Sequence, residues 1–303
     1  MRFTITGEED GRLLRSVIAS RLHPSTKLLR SLKFRPDGIL VNGEQATVRR
    51  ILHEGDEVTL ALEDTESAPG ILPVDLPLEI LYEDASLVVP SKPADMPTHP
   101  SHDHHDDTVA NALAFRYRRE GVPFVFRPIN RLDRNTSGLL LVARDRLSAG
   151  RLSEAMKNGE IRKTYLAVLD GVLDEERGVV DKPLHRTRES IILREVCSPD
   201  APDADPSRTE YRVLARAQAH TLVEARPITG RTHQLRVHFA SIGHPITGDD
   251  LYGAPSPYIQ RHALHARELT FPHPEKRTLL TVSAPPAEDF VALLTALFPE
   301  VKI

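Results

Sequence analysis

Asp133 lies between Arg131 and Arg134 and is followed, across Thr136-Ser137-Gly138, by the uninterrupted apolar run Leu139-Leu140-Leu141-Val142. The run reads as a buried strand. Any fold for this chain must therefore carry a charged segment directly into its core. A carboxylate set among guanidinium groups stays ionised at neutral pH, which suits nucleophilic attack or proton abstraction better than general acid work. The same pattern is also that of a solvated ion pair, and spacing alone does not choose between a surface salt bridge and a reaction centre.

The 303 residues suffice for a full core and two domains, and a chain 40% hydrophobic and 27% charged has the balance of a soluble globular protein. The opening MRFTITGEEDGRLL lacks the apolar segment of a signal peptide, and no later stretch approaches the roughly 18 apolar residues of a membrane span. A single cysteine, Cys197, excludes an internal disulfide and a thiolate metal set, so a cytoplasmic location is expected. The net charge of −4 argues mildly against nucleic acid, but phosphate contacts depend on where the basic residues sit.

They are concentrated near the start. Residues 11–36 hold Arg12, Arg15, Arg21, Lys27, Arg30, Lys33 and Arg35, and no acid. Leu14, Val17, Ile18 and Leu22 have helical spacing, His23-Pro24-Ser25 breaks the pattern, and Ser25 is placed to cap a second short helix. Asn42-Gly43 after Ile39-Leu40-Val41 predicts a type I′ hairpin, and Val58–Leu62 alternates as a half-buried strand. This order resembles the S4-type RNA-binding module, which implies that Arg12, Arg15, Lys27, Arg30, Lys33 and Arg35 face RNA. The charges alone would equally solvate two helix faces. We expect an S4-like domain over 1–63, a Pro-rich and acidic linker over 64–77, and a larger domain over 78–303. In that larger domain strands and helices intersperse irregularly, which predicts α+β rather than a doubly wound sheet.

Two further basic clusters could converge on Asp133: GEIRKTY, with Arg162, Lys163 and Tyr165, and TGRTHQLRVH, with Arg231, His233, Gln234, Arg236 and His238. Arginine-rich loops about one acid suit a polyanionic substrate. RLDRNTSGLLLVARD closely resembles the Arg-Leu-Asp-x-x-Thr-Ser-Gly motif of the RluA family of pseudouridine synthases. The likeness continues in order through Lys92-Pro93, RKTYLAVLDG, the TGRTHQLRVH stretch, GHPITGDDLYG and RHALHARELTFPHP. It implies the pseudouridine synthase fold, a mixed, largely antiparallel sheet flanked by helices and loops, and conversion of uridine to pseudouridine in folded RNA, ribosomal RNA before tRNA. No cofactor and no metal are expected, since the reaction is a redox-neutral rearrangement. No membrane or obligate protein partner is expected, and a monomer is the default.

By the same resemblance Asp133 is the catalytic carboxylate, which either adds to C1′ or removes the C2′ proton. Tyr165 stacks on the uracil, Arg231 pairs with Asp133, Arg131 fills the gap left by the flipped base, and Leu235 packs beside it. Asn130 stands where the family commonly has histidine, and Asp95 where it has glycine, which puts the turn after Lys92-Pro93 in question. Two rival readings compete with this one. SHDHHDD (101–107) offers histidines and aspartates to a metal hydrolase, but consecutive residues cannot all face one ion. A non-catalytic RNA binder would gain nothing from Asp133, Tyr165 and Arg231 together. His233 and His238 could be taken for a nuclease pair, but organising the turn at Arg231 is the simpler reading.

Overall fold

The computed structural model describes residues 1–301. Its N-terminal unit contains β1 (Arg2–Thr4), α1 (Leu14–Leu22), α2 (Thr26–Lys33), β2 (Ile39–Val41), β3 (Glu44–Gln45) and β4 (Glu57–Leu60). The strands form one antiparallel sheet in the order β1-β4-β2-β3. Leu14, Val17, Ile18 and Leu22 are buried against it, as their spacing requires. His23 turns left-handed at φ 46° to end α1, and Ser25 Oγ accepts the Leu28 amide at 3.2 Å to start α2. Asn42 and Gly43 both take positive φ, 56° and 82°, the conformation a type I′ turn demands. The first strand, β1, was not apparent from sequence; it is only three residues long and is held by β4.

The remaining elements run β5 (Glu79–Glu83), β6 (Leu87–Lys92), α3 (Val109–Arg119), β7 (Arg127–Pro128), β8 (Ser137–Leu139), β9 (Val142–Ala143), α4 (Arg146–Lys157), β10 (Arg162–Asp170) and β11 (Arg177–Asp181). They continue with β12 (Leu184–Arg186), β13 (Arg194–Val196), β14 (Arg208–Arg216), β15 (His220–Pro227), α5 (Gln234–Ala240), β16 (Leu264–Pro272), β17 (Leu279–Ser283) and α6 (Glu288–Leu297). Eleven strands form one sheet whose spine is β11-β14-β15-β10-β16-β8-β6-β9-β7, with β17 on β16 and β5 on β6. Among the described residues only the β8–β16 pairing is parallel. The architecture is α+β with a mixed, largely antiparallel sheet.

The apolar run after Asp133 is continuous because this sheet is covered on both faces. Leu140 and Val142 enter the core containing α3, α5 and α6; Leu139, Leu141 and Ala143 enter the core under α4. Residues 64–77 hold no helix or strand, yet they are pinned. Asp64 accepts both Arg127 guanidinium nitrogens at 2.6 and 2.7 Å and Arg146 Nε at 3.2 Å. Arg151 of α4 donates to the Leu22 carbonyl, and Leu147 packs on the N-terminal core. The two basic helices are thus seated on α4 rather than tethered loosely.

Candidate active site

Asp133 sits in a turn, its carbonyl accepting the Thr136 amide at 3.0 Å, at the mouth of β8. The turn is fixed from beneath. Buried Lys92, at the end of β6, donates to the carbonyls of Pro93 and Met96 at 2.8 Å and of Arg134 at 2.7 Å. Three ammonium hydrogens meet three carbonyls. Burial, helped by the charge of Arg261 and opposed by Asp133 and Asp95, pushes Lys92 down to about 7. Arg261, also buried, donates to the Asn135 carbonyl at 3.0 Å and to Ser137 Oγ at 3.2 Å. Thr136 Oγ1 lies 2.8 Å from His262 Nε2, and Ser137 Oγ lies 2.9 Å from His265 Nδ1. Burial pushes His262 down to about 3 and His265 to about 4, so both rings are neutral partners at neutral pH. Gly138 has φ +109° where β8 meets β16, and a Cβ there would stand 2.2 Å from the Ala266 carbonyl oxygen.

Neither arginine beside Asp133 in sequence pairs with it. Arg134 Nη2 holds Asp95 Oδ1 at 2.5 Å, and exposed Arg131 makes no ion pair among the described residues. Asp95 is left-handed at φ 63°, so the position keeps a glycine-like turn and adds a carboxylate that ties two loops together. Asn130 accepts the Leu141 amide at 2.8 Å and donates to the Leu139 carbonyl at 3.3 Å, a purely structural bridge.

The cation that faces Asp133 comes from α5. Arg236 Nη1 lies 3.7 Å from Asp133 Oδ2, while its Nε and Nη2 donate to Asp249 at 2.7 and 2.6 Å. Arg236 and Asp249 are 4% and 0% exposed, against 22% for Asp133, so the clamp is buried and its target is open. The expectation that Arg231 pairs with Asp133 is corrected. Arg231 lies in the turn before α5, its Nη1 3.1 Å from Asp205 and its Nε donating to the Pro206 carbonyl. Its register differs because Gln234 accepts the Arg231 amide and the Thr229 hydroxyl, turning this segment to the rim before the helix begins. His233 Nε2 is 3.9 Å from Asp133 and its Nδ1 is 2.8 Å from the Tyr252 hydroxyl; burial holds its pKa low. His238 is buried between Thr209 and the Lys182 carbonyl, far from a hydrolytic pairing.

Asp133, Arg131, Tyr165, Arg231, Leu235 and Arg236 all line one cavity of about 630 Å³. Tyr165, on β10, is 7% exposed, and its hydroxyl is pushed well above the ordinary range by burial and by the Asp133 charge. Leu235 is buried beside it in the same core. In the N-terminal unit Arg15, Lys27, Arg30 and Lys33 are exposed and Arg12 half-buried, all without an ion pair among the described residues. Arg35, by contrast, is neutralised by Asp37 at 3.0 Å. Phe34, missed in the sequence, stands 79% exposed among them. Residues 101–107 pair internally, His104 with Asp107 at 2.5 Å, and among the described residues no group of three or more His, Cys, Asp or Glu could hold a metal.

A turn-borne carboxylate and a buried tyrosine thus share one cleft on a mixed sheet. The family model for RNA pseudouridylate synthase matches residues 86–241. An uncharacterised RNA pseudouridine synthase of Bacillus subtilis, YjbO, is 37% identical over 276 residues, covering 91% of this chain and 96% of that one. Ribosomal large subunit pseudouridine synthase D of Xanthomonas campestris is 35% identical, covering 95% and 89%. Among solved structures, human RNA pseudouridylate synthase domain containing 1 aligns with a TM-score of 0.60 and 29% identity, over 72% of this chain and 87% of that one. The chain belongs to the RNA pseudouridine synthases of the RluA family, enzymes that isomerise uridine in RNA.

Proposed function

We propose that this enzyme forms pseudouridine in ribosomal RNA, in the cytoplasm, with Asp133 as the catalytic carboxylate. The carrying observation is the Asp133 carboxylate, open to the cavity and faced by a guanidinium that Asp249 holds rigid. A target uridine turned out of its stack enters beside Tyr165 and Leu235, and exposed Arg131 fills the vacated space. Asp133 either bonds to C1′ or takes the C2′ proton; Arg236 keeps it charged in both cases. Arg231 and the rim take phosphate rather than the carboxylate. Residues 1–63 add a basic face, with Phe34 available for stacking on an unpaired base. Support for ribosomal RNA comes from relatives named for the large subunit and from this second basic surface.

Mapping pseudouridine across total RNA from cells with and without the gene tests the proposal. Loss of a ribosomal site on deletion, restored by the gene, is expected. An unchanged ribosomal map, or a loss confined to tRNA, would contradict it.

A further inference from the structure

Lys163 is the cavity's unexplained cation. It lies two residues before Tyr165 on β10, lines the same cavity, and is 8% exposed against 7% for Tyr165. Its one hydrogen bond among the described residues goes to the Thr229 carbonyl at 3.0 Å, and no carboxylate pairs with it there. Burial pulls it down to about 8, so it remains largely protonated at neutral pH. A buried ammonium with unused donors and no counter-ion is costly unless a partner arrives.

The depth of Lys163 selects that partner. RNA phosphates stay at the exposed rim, where Arg131 and Arg231 stand, whereas the base travels inward to Tyr165. We propose that Lys163 is a further catalytic residue, donating a hydrogen bond to a uracil carbonyl oxygen and stabilising the base as an anion. This rests on the proposed reaction at Asp133. When N1–C1′ breaks, its electron pair leaves with the ring and spreads over N1, O2 and O4. Asp133 takes either C1′ or the C2′ proton, the ring turns, and C5 bonds to C1′ as the Asp133–C1′ bond breaks or the proton returns to C2′. The C5 proton then passes to water and N1 gains one, so composition is unchanged. Lys163 keeps its proton throughout, and its bond strengthens as charge develops on the base.

The test uses Lys163→Met and Lys163→Gln in the full chain, with C5-tritiated ribosomal RNA from cells lacking the gene. Release of tritium to water gives kcat and KM. We expect kcat to fall about 10²-fold with KM within about twofold, as for loss of one oxyanion donor. With 5-fluorouridine in the RNA, whose base anion is intrinsically more stable, the C5–C1′-linked product keeps its fluorine and loses no C5 proton. Nucleoside analysis therefore scores that product, and the penalty there should be at least about tenfold smaller. A rise in KM alone, an equal penalty on both bases, or no penalty would overturn the inference. A wild-type enzyme that releases no tritium would overturn the proposed function and this inference with it.

Discussion

Arg236 Nη1 stands 3.7 Å from Asp133 Oδ2, and the remaining edge of that guanidinium is locked bidentately onto Asp249. The cation is therefore aimed before any substrate binds. Bidentate geometry gives direction as well as charge, which a lysine could not reproduce.

That arrangement separates two arginines five residues apart. Arg236→Met should lower kcat by about 10²-fold or more with KM little changed, because it removes charge at the proposed catalytic carboxylate. Arg231→Met should raise KM several-fold and leave kcat nearly intact. Steady-state kinetics on one RNA, with both variants side by side, provides the check.

Asp249→Ala leaves a buried guanidinium without its principal partner. Removing one member of a buried pair destabilises by about 3–5 kcal/mol, and urea unfolding should show a loss of that order. The fall in kcat should persist under conditions where the variant is fully folded, since Arg236 is then no longer aimed.

Gly138→Ala tests the seat of the turn that carries Asp133. The φ of +109° strains an alanine by about 1–3 kcal/mol, and the new Cβ would meet the Ala266 carbonyl at 2.2 Å. We expect a loss of stability at the upper end of that range or beyond, together with loss of activity. Calorimetry and a single-turnover assay would report each separately.

The N-terminal unit carries an acid-sensitive tie. The hydrogen bond from Arg21, against burial that opposes it, lowers Glu9 from 4.5 to about 2. A depressed carboxyl stabilises the fold above its unfolded value, and that contribution is lost as pH falls from 4.5 through 2. Protection of residues 1–63 against hydrogen exchange, taken relative to the unfolded chain at each pH, should therefore fall in that window, and Glu9→Gln should flatten the change.

Helices α1 and α2 are legible because each buries one apolar stripe, and the Asn42-Gly43 turn is legible because few dipeptides tolerate two positive φ values. The carboxylate itself is legible, as is its neighbour Tyr165. The identity of its cation is not: Arg131 and Arg134 are adjacent in sequence, but one is solvent-exposed and the other binds Asp95. The discriminating signal for Arg236 is the acid that buries with it, Asp249, thirteen residues on. Residues 64–77 read as a linker, and composition does not reveal that Asp64 is clamped by Arg127 and Arg146. Likewise Lys92, Arg261, His262 and His265 act through long-range bonds to the turn at 133–137, which no local pattern encodes.

Replacing one carboxylate oxygen tests the centre most directly. Asp133→Asn preserves shape and volume, so purified variant and wild-type enzyme can be compared on the same unmodified ribosomal RNA, scoring pseudouridine and bound RNA together. We expect binding within a few-fold of wild type and no detectable pseudouridine. Turnover retained by the amide would show that the reacting group lies elsewhere in the cleft.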